Sequence, residues 1–201
     1  MGVLATTSYS SRAAPVWPPV AFANVTNVNA LGMSSGFATV SGNAALGNIN
    51  LSGGRLVSLS GSTIRASQIA VRSGATFGSA GTVDGNISVA GILSPGASPD
   101  IMTVSGNVAI TPGATLRIVA EGQIRPGTSY DLIVSRDGIT GSYTTIDKAA
   151  SLFGFVVQRA DRIQLLGQFL GNAAFNPQVA RSIAYASTAF QAQPATSALL
   201  D

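Results

Sequence analysis

The chain has 201 residues, enough for one sizeable domain or for an elongated stack of repeats. Only 9% of them are charged and the net charge is +3, with the arginines scattered, so no clustered basic surface and no nucleic-acid partner are expected. Cysteine and histidine are both absent, which excludes disulfides, thiol catalysis, a Ser-His-Asp triad within the chain and most zinc sites.

Hydrophobic residues reach 46% while aromatics are 6% and glycine numbers 23. Small and β-branched apolar residues with many glycines suggest short strands joined by tight corners. Residues 1–35, with Pro15, Pro18 and Pro19 around Trp17 and then NVTNVNA, read as an extended lead-in or a partial coil. No apolar run approaches the ~20 residues of a membrane helix. The first residues hold one arginine and no uninterrupted apolar core, so they do not read as a signal peptide, and the chain is expected to be a piece of something longer.

Residues 36–120 are periodic. Four turn-and-strand units end at Leu56, Phe77, Leu93 and Leu116, spaced by 21, 16 and 23 residues. Similar units at about twenty residues mark a solenoid, in which no turn buries its own apolar face. Between them lie alternations such as NINLSG, QIAVRSG and NISVAG, which have strand period and end in glycine. The pattern predicts a right-handed parallel β-helix of four or five coils, with coils ~4.8 Å apart. A β-sandwich is the competing all-β architecture, but its strands run longer and carry more aromatics.

From residue 121 to 170 the texture changes to longer strands, LIVS, FGFVV and RIQLL, expected to form a cap of β-hairpins. Arg136-Asp137-Gly138 and Arg159-Ala160-Asp161-Arg162 are its expected turns, and Val156 and Ile163 its apolar nucleus. Residues 171–201 form a linker with one helix over 176–190, capped by Asn176 and Pro177, with Val179, Ile183, Ala186 and Phe190 on one face.

Candidate chemistry is sparse. Asp84 and Asp100, sixteen residues apart, are expected on adjacent coils, and every acid reads as a solvated corner. Without histidine the serines have no ordinary base. Asn43, Asn48, Asn50, Asn86 and Asn107 are candidates for an asparagine ladder inside the solenoid. No catalytic residue, cofactor or metal is expected.

Residues 73–118 carry a resemblance. Leu93, Pro95, Gly96, Ser98, Pro99, Val104, Gly106 and Asn107 match the phrase L-x-P-G-x-S-P-G-x-L-x-V-x-G-N found near the C-terminal end of bacterial autotransporter passenger domains. Asp100 and Met102 depart from it. Residues 128–146, with Tyr130, Leu132, Val134, Gly138 and Gly141, are similar to that family's cap strands, and the segment from FNPQVARSIAYASTAF to LLD resembles its pre-barrel helix. The resemblance implies a right-handed β-helix stem with an autochaperone-like cap, delivered to the bacterial cell surface or secreted. It implies a C-terminal membrane β-barrel absent from this sequence as partner, together with the outer-membrane assembly machinery. The implied role is non-catalytic: to nucleate passenger folding and display an N-terminal effector. Two other roles remain open, an adhesin binding host glycan or matrix protein through its faces, and the scaffold of an upstream protease or esterase.

Overall fold

The computed structural model describes residues 20–26, 28–96, 100–119, 129–148 and 155–166, with Pro177, Gln178, Arg181, Ser182 and Tyr185. The alternating runs are strands, and the glycine-rich gaps turn the chain so that each strand returns one coil later beside its predecessor. In chain order these are β1 (Val20–Phe22), β2 (Ala30–Met33), β3 (Phe37–Val40), β4 (Asn43–Ala45), β5 (Asn48–Leu51), β6 (Gly54–Ser58), β7 (Thr63–Val71), β8 (Ala75–Ser79) and β9 (Thr82–Val89). They continue with β10 (Ile92–Pro95), β11 (Met102–Val104), β12 (Val108–Ile110), β13 (Thr115–Ile118), β14 (Tyr130–Ser135), β15 (Ile139–Thr140), β16 (Thr145–Lys148), β17 (Phe155–Gln158) and β18 (Arg162–Leu166).

A first sheet stacks β1, β3, β6, β8, β10, β13 and β16, every pair parallel. A second stacks β2, β5, β7, β9, β11, β14, β18 and β17, with β4, β12 and β15 beside them. The result is a parallel β-solenoid of about five turns. The four residues that marked the sequence repeat lie on top of one another: Leu56 pairs with Phe77, Phe77 with Leu93, and Leu93 with Leu116. The uneven spacings are therefore coil lengths. All four are fully buried, and each such rung contributes roughly 1.5–3 kcal/mol of apolar burial. Two further columns run through the second sheet, Ala44–Ile64–Val83–Val104 and Ile49–Ile69–Ile87–Val108–Ile139.

Corners need glycine where stacked backbones nearly touch. Gly85 has φ +147°, and a Cβ there would fall on the Ala66 carbonyl oxygen of the coil below. Only a residue without a side chain lets the two coils keep strand spacing at that point.

The C-terminal region departs from the expected run of hairpins. β14, β15 and β16 pair parallel with β11, β12 and β13, so residues 130–148 form one more coil. Arg136-Asp137-Gly138 is accordingly a corner and not a hairpin turn. The cause is apolar continuity: Ile133 and Ile139 complete the columns of Met102 and Val108, which a hairpin fold-back would leave uncovered. A hairpin follows: β17 and β18 pair antiparallel through the expected turn at Arg159–Arg162, and β18 lies antiparallel on β14. At the N-terminal end β1 and β2 already belong to the two sheets, so the described part of residues 1–35 forms a partial coil and not an extended lead-in.

The asparagines point the other way from expectation. Asn43, Asn48 and Asn50 are exposed, and Asn86 and Asn107 half-buried, so no ladder fills the interior. Strand alternation explains this, since Ala44, Ile49 and Leu51 take the inward positions between them. The described helical residues, Pro177, Gln178, Arg181, Ser182 and Tyr185, are exposed. Asn176 and the apolar face expected of that helix, Val179, Ile183, Ala186 and Phe190, lie outside the described residues.

Candidate functional site: a polar groove along one corner

The corner between the two legs of the second sheet is indented, and stacking turns the indentation into a groove along the solenoid. It has a volume of about 560 Å³ and is lined by Arg65, Ser67, Asp84, Asn86, Ser105 and Arg136, among others. The residues come from equivalent triplets on successive coils: Arg65-Ala66-Ser67, Asp84-Gly85-Asn86 and Ser105-Gly106-Asn107. Each triplet sits where a strand bends, so its polar side chains project while its flanks stay in register.

Hydrogen bonds knit the floor from coil to coil. The Ser105 hydroxyl donates to Asp84 Oδ1 at 2.7 Å and accepts from the Gly85 N–H at 3.1 Å. Asn86 accepts from the Asn107 N–H at 3.0 Å and donates to the Ser67 carbonyl at 3.4 Å. Arg65 lies 3.6 Å from Asp84, and Arg136 3.2 Å from Asp137. Every carboxylate in the groove thus has a guanidinium beside it, and both pairs are exposed to water. Such pairs fix side-chain positions but are worth at most about 1 kcal/mol each.

The groove offers hydrogen bonds of both senses and charges of both signs. Asp84 and Asp137 both line the groove, but the two acids sixteen residues apart, Asp84 and Asp100, are not brought together. Asp84 faces the groove, while Asp100 lies beside Gly96 on the connection from β10 to β11. Among the described residues no three His, Cys, Asp or Glu side chains gather to hold a metal.

The residues singled out by the sequence are mostly elsewhere. Leu93 is the rung between Phe77 and Leu116, and Val104 that between Val83 and Ser135. Pro95 is the buried last residue of β10, paired with Ser79, so the corner begins after it. There the Gly96 N–H donates to the Ser79 carbonyl at 2.7 Å. Ser98 and Pro99 lie outside the described residues. Gly106 lines the groove, and Asn107 is tied to Asn86 beside it. Tyr130 opens β14 opposite Leu165, and Leu132 is buried. Val134 pairs with Thr103 and Arg162 on the outer face, half-buried. The Gly138 carbonyl accepts from the Val108 N–H, and Gly141 passes close over the Ile110 carbonyl. Val156 is half-buried in the hairpin, and Ile163 is fully buried between Ile133 and Gln158.

Arg65, Ser67 and Arg136 were missed as groove residues. Aligning the triplets at spacings of 19 and 21 residues would have found the first two. No family model, no curated protein and no solved structure matches the chain.

Proposed function

We propose that the chain is a non-catalytic stem of a bacterial autotransporter passenger, which folds at the outer face of the outer membrane and holds an N-terminal effector away from the cell. The observation that carries this reading is the difference in loop length between the β17–β18 hairpin and every coil. The parallel pairs join residues 16 to 31 apart, whereas Gln158 pairs with Ile163 across a tight turn. Short loops close at the least entropic cost, so the hairpin forms before any coil. β18 then offers an edge to β14, and each completed coil offers an edge to the one before it in sequence. Folding from C-terminus to N-terminus suits a chain emerging C-terminal end first beside its own membrane barrel. The resemblance of residues 73–118 and 128–146 to passenger and cap segments supports the same reading.

The test places the chain between an N-terminal reporter and an outer-membrane barrel and measures surface reporter. Ile163 and Leu56 are both fully buried, so Ile163→Asp and Leu56→Asp impose similar burial costs. Ile163→Asp is expected to remove most display and Leu56→Asp much less. Equal losses would contradict the stem reading.

A second reading, adhesion to a host glycan or matrix protein, is favoured by the groove. It expects the double change Arg65→Ala and Arg136→Ala to abolish ligand capture while leaving display intact.

A further inference from the structure

The sequence holds two Asp-Gly steps, Asp84-Gly85 and Asp137-Gly138, and no Asn-Gly step. In an Asp-Gly step the glycine nitrogen, unhindered by a side chain, is open to attack the carboxyl carbon of the aspartate before it. Both aspartates line the groove. They differ in how the two reacting groups are held.

At the first step one side chain holds both groups. The Ser105 hydroxyl donates to Asp84 Oδ1 at 2.7 Å and accepts from the Gly85 N–H at 3.1 Å. Stacked coils tighten the hold, since Gly85 lies against the Ala66 carbonyl and its own carbonyl accepts from the Gly106 N–H at 3.2 Å. Attack there would break the Ser105 contacts and tilt the peptide unit into a neighbour. At the second step, the peptide unit joining Asp137 to Gly138 is hydrogen-bonded at neither its C=O nor its N–H among the described residues. The Asp137 carboxylate is exposed and lies 3.2 Å from the guanidinium of its own neighbour, Arg136, a contact too weak to fix it. A Cβ on Gly138 would meet nothing nearer than the Ala160 carbonyl oxygen at 3.3 Å, so the unit has room to turn.

We propose that Asp137-Gly138 converts spontaneously to isoaspartate in the folded chain, while Asp84-Gly85, held by Ser105, does not. The Gly138 nitrogen bonds to Asp137 Cγ and gives up its proton, and the carboxyl OH leaves with that proton as water, closing a succinimide ring. Water then opens the ring. Addition at Cγ restores aspartate, and addition at the Asp137 α-carbonyl routes the backbone through Cβ and Cγ. Ser135 and Ile139, on either side of this corner, donate their N–H groups to the Asp161 and Ala160 carbonyls of the hairpin turn at 2.8 and 2.6 Å. A corner lengthened by one backbone atom moves those donors out of register, so the product loosens the hairpin from the last coil.

The test incubates the folded wild type in heavy-oxygen water and maps label and isoaspartate in its peptides by mass spectrometry, with the guanidinium-unfolded chain as reference. Unfolded, the two steps are expected to react at similar rates. Folded, Asp137 is expected to stay within a few-fold of that rate, and Asp84 to fall on the order of a hundredfold below it, as misplaced reacting groups do. Ser105→Ala is expected to raise Asp84 toward Asp137 and leave Asp137 unchanged. Should that variant fail to fold, native-state amide exchange of the wild type reads the same contrast, with Gly138 exchanging freely and Gly85 protected. The separated isoaspartate form is expected to lose amide protection in β18. The proposal is overturned if folded Asp137 takes up no label, if Asp84 reacts as fast, or if folded Ser105→Ala leaves Asp84 unreactive. It is equally overturned if Gly85 exchanges as fast as Gly138, or if β18 stays fully protected in the isoaspartate form.

Discussion

Gly85 and Gly113 both hold a positive φ, yet only at Gly85 does a neighbour occupy the place of a side chain. Gly113→Ala is therefore expected to cost only the conformational penalty, roughly 1–2 kcal/mol. Gly85→Ala must also displace the Ala66 carbonyl and is expected to cost clearly more; denaturant unfolding of the two variants measures the difference. Tyr143 gives a prediction of opposite sign. Its hydroxyl is buried with no hydrogen-bond partner among the described residues, and burial pushes the phenol well above its ordinary value. Tyr143→Phe removes an unmet donor and is expected to raise stability by about 1 kcal/mol. The raised value means that the wild type's stability is intact below the unfolded phenol's pKa of about 10 and falls as pH rises past it. The gap between Tyr143→Phe and wild type should therefore stay flat to about pH 10 and widen above it. A gap that narrows in alkali would contradict the assignment.

Within β14, alternation breaks at a bulge between Asp131 and Ile133, and the break decides which side chains matter. Leu132 and Ile133 are both buried, while Val134 turns outward beside Thr103 and Arg162. A strict period of two places Leu132 and Val134 on one face, which is why the sequence alone points to Val134 and passes over Ile133. Ile133→Ser is expected to destabilise severely and Val134→Ser mildly, as thermal unfolding would report. In the hairpin, Ile163→Ala should cost about 2–5 kcal/mol, against about 1 kcal/mol for half-buried Val156→Ala. Similar losses at both would mean that β18 does not close the core. The hairpin turn is expected to depend on pH only weakly, because its ion pair is exposed to water. Arg162, hydrogen-bonded to Asp161, holds that carboxyl below its usual value. Its contribution is present above the ordinary carboxylate pKa and lost as pH falls through the lowered one.

At the scale of the molecule, the coil stack was legible because one apolar residue per coil carries the repeat, from Leu56 to Leu116. The groove was not, because its triplets align only once coil lengths of 16 to 31 residues are known. The corner at Arg136-Asp137-Gly138 and the turn at Arg159–Arg162 read alike, since both are polar residues between strands. Only what lies one coil back separates them: Met102 and Val108 await partners below β14 and β15, whereas β17 has none. Charge is polarised along the same axis. In the sequence every acid lies at or beyond Asp84, and residues 20–54 carry no charge.

The direction of building is the central claim, and pulse-labelled hydrogen exchange during refolding tests it most directly. The account predicts that amides of β17, β18 and β14 gain protection first, followed by β11 and β9, with β3 and β6 last. Protection that arises first in β3 and β6, or in all coils at once, would contradict it.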